Sequence, residues 1–285
     1  DLRSLASGVF RNGQSSLAEG TNVTFMRDGK TATVAFFRQG TTGSIATNGK
    51  IDASVELSPD GAPTDDEYTM VMAASLPLAL HPAPERIAVI GWGSGLTTHT
   101  LLGSQLPQVV DTIEIESAMY MGAEGFGNRV LRAYIDPRSQ LHIDDARTYF
   151  STGKKKYDVI VSEPSNPWVS GVSSLFTRQF YRFLTKHLEP DGVLIQWMQT
   201  YELNDSLFLT MVAALIEEYP HVEAYLTNTA DVIFVASHAP IKDFDASRLE
   251  EPGLAQDLRR LGLSSEQDHL VRRFADRGVL AGRLM

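Results

Sequence analysis

A glycine cluster and a few acidic residues at fixed distances from it carry the chemistry that this chain displays most openly. At residues 90–95 the run Ile-Gly-Trp-Gly-Ser-Gly lies directly between a β-type run and a helical one. Gly91, Gly93 and Gly95 permit a tight turn and let a ligand approach the backbone at a helix N-terminus. A strand-to-helix turn without any ligand is the competing account. Glu114 ends the next β-type run, roughly 20 residues on, where a carboxylate accepts both hydrogen bonds of a ribose diol. Asp144-Asp145-Ala146 closes a third run. A carboxylate there can accept a hydrogen bond from an adenine amine, and either Asp can also cap a helix. Together these residues describe a nucleoside site better than a phosphate-rich dinucleotide site.

The elements that must position them follow an alternating pattern. From Arg86 the chain reads strand, helix, strand: β-type runs at 86–91, 111–115, 140–143, 157–161 and 192–197, with helical stretches at 96–105, toward Tyr134, at 175–188 and at 207–219. Such alternation predicts a doubly wound parallel sheet with ligands bound at the C-terminal strand ends. The runs at 224–226 and 231–236 predict an antiparallel closing pair. Upstream, β-type runs at 31–37 and 44–47 with the Asn48-Gly49 turn signal predict a small antiparallel unit. A helix is expected over 65–80, where Asp65, Asp66 and Glu67 suit the positive end of its dipole. The predicted organisation is a lead-in and β unit over 1–64, a Rossmann-like nucleoside-binding catalytic domain over 65–240, and a helical C-terminal extension over 241–285.

The most specific motif is Tyr-Asp-Val-Ile-Val-Ser-Glu-Pro-Ser-Asn-Pro-Trp (157–168), followed by Ser-Gly-Val-Ser-Ser-Leu-Phe-Thr-Arg-Gln-Phe-Tyr (170–181). This stretch resembles the strand, substrate-gating loop and following helix of the spermidine synthase family. With the glycine run, Ile-Glu-Ile-Glu (113–116), the Asp-Asp-Ala triplet and the hairpin Asn-Gly-Lys-Ile-Asp-Ala-Ser (48–54), the resemblance covers roughly residues 30 to 237. It implies a Rossmann-like S-adenosylmethionine-type fold with a small N-terminal β-hairpin domain. It also implies aminopropyl transfer from decarboxylated S-adenosylmethionine to a polyamine or other amine. Gly91, Gly93, Ser94, Gly95, Glu114, Asp145 and Ala146 would hold the donor, with Glu163 as base and Asn166 beside it in the closing loop. Gln199 and Tyr201 follow the fifth strand, where the family places acceptor contacts, and Trp168 could line an apolar acceptor pocket, with core packing as the competing account. No metal is required, because a sulfonium is already a good leaving group.

The departures from the family pattern matter as much. The family's catalytic Asp falls at Glu163, one methylene longer, and its second Asp falls at Asn166. A displacement of about an ångström at a reacting amine can cost on the order of 100-fold in rate. An Asp that holds the donor's amine falls at Ser94. A Tyr and a Glu of the polyamine pocket fall at Met70 and Met72, and a Gln near the nucleoside falls at Asp52. Several anionic groups suited to a diamine are therefore expected to be absent. Two other readings follow from that expectation: a methyltransferase using intact S-adenosylmethionine on a non-polyamine acceptor, and a non-catalytic ligand-sensing module of a larger, membrane-tethered protein.

Bulk properties narrow the field further. A net charge of −10 over 285 residues argues against a nucleic-acid partner, which needs a basic face, and suits a small-molecule acceptor. With no cysteine there is neither disulfide nor thiolate chemistry. The longest apolar stretch, Met70 to Leu80, is too short to span a bilayer and contains Pro77. No secretory signal pattern is present, so a cytoplasmic location is expected. The chain opens on Asp1 and is expected to be part of a longer protein, one that could carry membrane segments. A homodimer is the family's usual state.

Overall fold

The computed structural model describes residues 2–7, 16–167 and 171–284. After a short helix α1 (Leu2–Ala6), four strands form an antiparallel meander: β1 (Asn22–Asp28), β2 (Thr33–Gln39), β3 (Thr42–Thr47) and β4 (Lys50–Glu56). Asn48 and Gly49 join β3 to β4 with φ of 49° and 81°, the left-handed pair that a two-residue hairpin turn requires. Helix α2 (Asp65–Leu80) begins where the acidic first turn predicts, with Thr64 and Glu67 forming a reciprocal capping box. It is buried almost all round.

The second sheet holds eight strands. β5 (Arg86–Ile90), β6 (Val109–Glu114), β7 (Ser139–Ile143), β8 (Tyr157–Ser162) and β9 (Leu188–Gln199) are parallel. β10 (His221–Leu226) and β11 (Asp231–Ser237) add the predicted antiparallel pair. The order is β12-β10-β11-β9-β8-β5-β6-β7, with β12 (Arg273–Asp276) at one edge. Between strands run α3 (Leu96–Leu101), α4 (Ser117–Ala123), α5 (Leu131–Ile135), α6 (Ala146–Thr152), α7 (Arg178–Leu184) and α8 (Asp205–Glu218). The chain leaves β5 for β6 on one side and pairs β5 with β8 on the other, so a crevice opens between their ends.

Both faces of this sheet are covered. Ile87 and Val89 of β5 join Met72 and Leu76 of α2 in one apolar cluster. Ala88 and Ile90 join Phe150 of α6, Phe180 of α7 and Leu215 of α8 in the other. Such two-sided burial is why the parallel strands read as unbroken apolar runs. No helix among the described residues is long and apolar enough to cross a membrane.

The segment 241–285 departs from its expected helical character. It contains α9 (Pro252–Arg260), α10 (Glu266–Leu270) and α11 (Arg277–Leu284), but also β12, which pairs with β10. Four residues with a single buried position, Ala275, carry no strand periodicity; the open edge of β10 supplies the pairing. Leu254 and Leu258 of α9 pack into one face of the main sheet and Leu280 of α11 into the other, so the segment completes the core.

Glu67 ties these parts together. Its fully buried carboxylate accepts from the backbone N–H of Glu56 and Thr64, both at 2.9 Å, and pairs with Arg129 and Arg260. Breaking a buried ion pair by removing one partner costs about 3–5 kcal/mol. Glu67→Ala is expected to lower unfolding free energy by that amount, which chemical denaturation will measure. An exposed pair such as Arg86–Glu189 should give under about 1 kcal/mol by the same method.

Candidate active site

Three backbone hydrogen bonds draw the motifs together at the C-terminal strand ends. The Gly91 N–H donates to the Ile113 carbonyl (2.9 Å), the Glu163 N–H to the Ile90 carbonyl (3.0 Å) and the Asp144 N–H to the Glu114 carbonyl (3.0 Å). The resulting cleft is about 400 Å³ in volume, within the range of small-molecule sites. Gly91, with φ of 99°, is obligatory for a second reason. A Cβ there would lie 2.4 Å from the Glu163 carbonyl oxygen. Trp92 anchors the loop from below, its ring edge-on to Tyr120 and Tyr134 at 4.8 and 5.2 Å.

Gly91, Gly93, Glu114, Asp145 and Ala146 line the cleft. One Glu114 oxygen accepts from the Trp92 N–H and the other from the Glu116 N–H, both at 2.8 Å. Burial outweighs these bonds and pushes its carboxyl up to about 7. Asp145 caps α6 by accepting from the Thr148 N–H at 3.0 Å, so the capping account holds, and it still lines the cleft. Ile115, half-exposed beside Glu114, adds an apolar wall that the strand pattern alone did not single out.

Ser94 and Gly95 do not line the cleft. The Ser94 hydroxyl is fully buried, donating to Met70 Sδ at 3.0 Å and accepting from the Leu96 N–H at 3.2 Å. Its bond to Met70 turns it toward α2 and away from the cleft. Gly95 caps α3 with φ of 84°, and a Cβ there would meet the Trp92 ring at 3.1 Å. Its part is to allow the turn.

Glu163, Asp66, Asp231 and Asp52 line the same cleft. Glu163 is pushed up to about 8, chiefly by burial and further by the Asp231 charge, against a hydrogen bond from Thr97. Asp66 accepts from the Ser54 N–H at 2.7 Å and is pushed up to about 6, again chiefly by burial. Asp52 pairs with Lys50 and accepts from the Ser165 hydroxyl, both at 2.9 Å, joining β4 to the loop after β8. On the same rim, Glu116 caps α4 and accepts from the N–H and hydroxyl of Thr31, holding the β1–β2 turn over the cleft.

The family's anionic groups at Met70, Met72, Ser94 and Asn166 are replaced as expected, yet the cleft is not short of negative charge. Met70 and Met72 do stand at the expected places, with Met70 at the cleft and Met72 in the core, but carboxylates arrive from elsewhere. Asp66 was visible only as a dipole-complementing residue, and Asp231 only as the start of a strand. Among the described residues, eight carboxylates line the cleft against a single cation, Lys50. Asn166 and Gln199 are fully buried behind this wall, their amide atoms lacking protein partners. Tyr201 and Trp197 line the cleft directly, and Trp168 lies outside the described residues. His142 bonds Asp111 at 2.7 Å and lies outside the cleft.

Sheet order, glycine loop and strand-end carboxylates define a Rossmann-like α/β protein with a methyltransferase-type sheet and an N-terminal antiparallel sheet. The chain belongs to the spermine/spermidine synthase domain family, which matches residues 67–241. It is 31% identical over 152 residues to a polyamine aminopropyltransferase of Nitrosomonas europaea, covering 53% of this chain and 46% of that protein. It is 27% identical over 210 residues to a spermine synthase of Arabidopsis thaliana, covering 70% of this chain and 57% of that one. The chain spans about half the length of the curated relatives it matches. A crystal structure of spermidine synthase in complex with the transition-state analogue AdoDATO superposes with a TM-score of 0.71 at 21% identity. That likeness covers 85% of this chain and 88% of the other.

Proposed function

We propose that this chain transfers an aminopropyl group from decarboxylated S-adenosylmethionine to an amine. The observation that carries this reading is Glu163, a buried carboxylate raised to about 8 in a cleft it shares with Glu114, Asp145 and the carboxylates of Asp52, Asp66 and Asp231. Glu114 takes the ribose diol, Asp145 the adenine amine, and Ile115 one face of the base. An acceptor ammonium entering the carboxylate side gives a proton to Glu163. The free amine then attacks the methylene carbon next to the sulfonium. The N–C bond forms as the C–S bond breaks, its electron pair stays on sulfur, and 5′-methylthioadenosine leaves. A general base in reach of its proton contributes about 10²–10⁴-fold.

The charge of the cleft also favours a donor without its carboxylate. An intact S-adenosylmethionine would bring one more anion among Asp52, Asp66, Glu163 and Asp231, and the one lining cation is already paired with Asp52. Calorimetric titration with each donor tests this. Binding at least tenfold tighter for the decarboxylated donor is expected. Equal or tighter binding of the intact donor overturns the reading in favour of methyl transfer.

A further inference from the structure

Asp231 and Asp52 each keep one carboxylate oxygen bonded and leave the other buried without a partner, but Asp52 has Lys50 beside it and Asp231 is held by uncharged groups. Its Oδ2 accepts from the Thr69 hydroxyl at 3.0 Å and from the Asn228 side-chain N–H at 2.8 Å. Thr69 is in turn bonded to the Thr227 hydroxyl at 2.8 Å. Helix α2 and the β10–β11 turn therefore fix one oxygen of the carboxylate. The other, Oδ1, is buried and has no hydrogen-bond partner, although the residue lines the cleft and is only 6% exposed.

A buried carboxylate oxygen without a donor is costly, and native proteins seldom leave one unless water or a ligand completes it. Its surroundings point the same way. Asp231 pairs across the sheet with Gln199, whose amide atoms are also without partners, and the Trp197 indole N–H at the cleft wall is unbonded. The Asp231 charge is felt at both Asp66 and Glu163. Among the described residues Lys50 is the one Lys, Arg or His that lines the cleft, and it is engaged with Asp52 and Ser165. The donor's own ammonium can meet one of Asp66 and Asp231, but an acceptor whose only charge is lost to Glu163 on reaction would leave the other uncompensated.

We infer that Asp231 is a specificity-determining residue: its free oxygen receives the acceptor's second, unreacting ammonium and selects diamines over monoamines. This rests on the reading that the cleft takes an amine acceptor. The second ammonium stays charged while the first gives its proton to Glu163, so Asp231 contributes to acceptor binding in ground and transition states alike.

The test is calorimetry of 1,4-diaminobutane and butylamine binding to protein saturated with 5′-methylthioadenosine. Wild type should bind the diamine at least tenfold more tightly than the monoamine. Asp231→Asn should weaken the diamine at least tenfold and leave butylamine within about twofold, levelling the two. Asp231→Glu, which keeps the charge on a longer stem, should retain the preference and move it toward 1,3-diaminopropane, and it carries the test if the Asn variant does not fold. Unaltered diamine affinity in the Asn variant, equal loss of both amines, or a wild type that does not discriminate would each overturn the inference. Turnover, measured separately, tells its failure from that of the parent reading. Catalysis with equal use of diamine and monoamine sinks only the role of Asp231. Selective, Asp231-dependent diamine binding without any transfer sinks only the proposed reaction.

Discussion

Glu163→Gln is expected to lower turnover by about 10²–10⁴-fold while leaving donor affinity within about threefold. In the proposed reaction its carboxylate removes the acceptor's proton, and Gln keeps the volume and a hydrogen bond from Thr97 but cannot take a proton. The pH profile separates this role from an anchoring one. A base must be ionised, and burial has raised Glu163 to about 8, so kcat/KM of the wild type should climb between pH 6 and 9 with a limb near 8. That limb should vanish in the Gln variant. Stability gives an independent check. A carboxyl raised on folding stabilises the folded state below its unfolded pKa, and that contribution is lost as pH rises through about 8. The Gln variant should therefore unfold at a higher temperature than wild type, with the gap wider at pH 9 than at pH 6. A variant with unchanged turnover would reduce Glu163 to a loop anchor.

The second large effect is at Glu114. Hydrogen bonds to a charged group are worth about 1.5–3 kcal/mol each, so losing two from a ribose diol predicts donor binding weakened by about 10²–10⁴-fold in Glu114→Ala. Part of that loss arises because Glu114 also holds the Trp92 and Glu116 N–H groups and so shapes the glycine loop. Glu114→Gln keeps an acceptor for one of them and should fall between wild type and Ala. Because burial raises this carboxyl to about 7 and the diol needs the ionised form, wild-type donor affinity should decline as pH falls below about 7. Titration calorimetry at pH 6 and 8 measures it. An affinity independent of both pH and the Ala substitution would remove Glu114 from the donor site.

Much of this arrangement was legible in the residues themselves, and the exceptions have physical causes. Helix α2 was bounded correctly because its start is written in local chemistry, an acidic turn after a capping Thr. The strand ends bearing Gly91, Glu114 and Asp145 were legible because motif spacing reflects the βα repeat. Ser94 sits in the same motif, yet which way its hydroxyl turns depends on Met70 of α2, a contact no local pattern encodes. Asp66 and Asp231 are 165 positions apart in sequence and meet only when α2 packs against β11; neither has a motif around it. Strand β12 was invisible for a similar reason, since its pairing is set by the edge of β10. Long-range placement, more than local propensity, accounts for what went unread.

The most direct measurement is product analysis. The protein is incubated with decarboxylated S-adenosylmethionine and 1,4-diaminobutane, and products are quantified by mass spectrometry. Aminopropyl transfer predicts 5′-methylthioadenosine and the aminopropylated diamine in equal amounts, dependent on the protein and nearly abolished by Glu163→Gln. Neither product forming while the donor is demonstrably bound, or S-adenosylhomocysteine forming from intact donor, would contradict it.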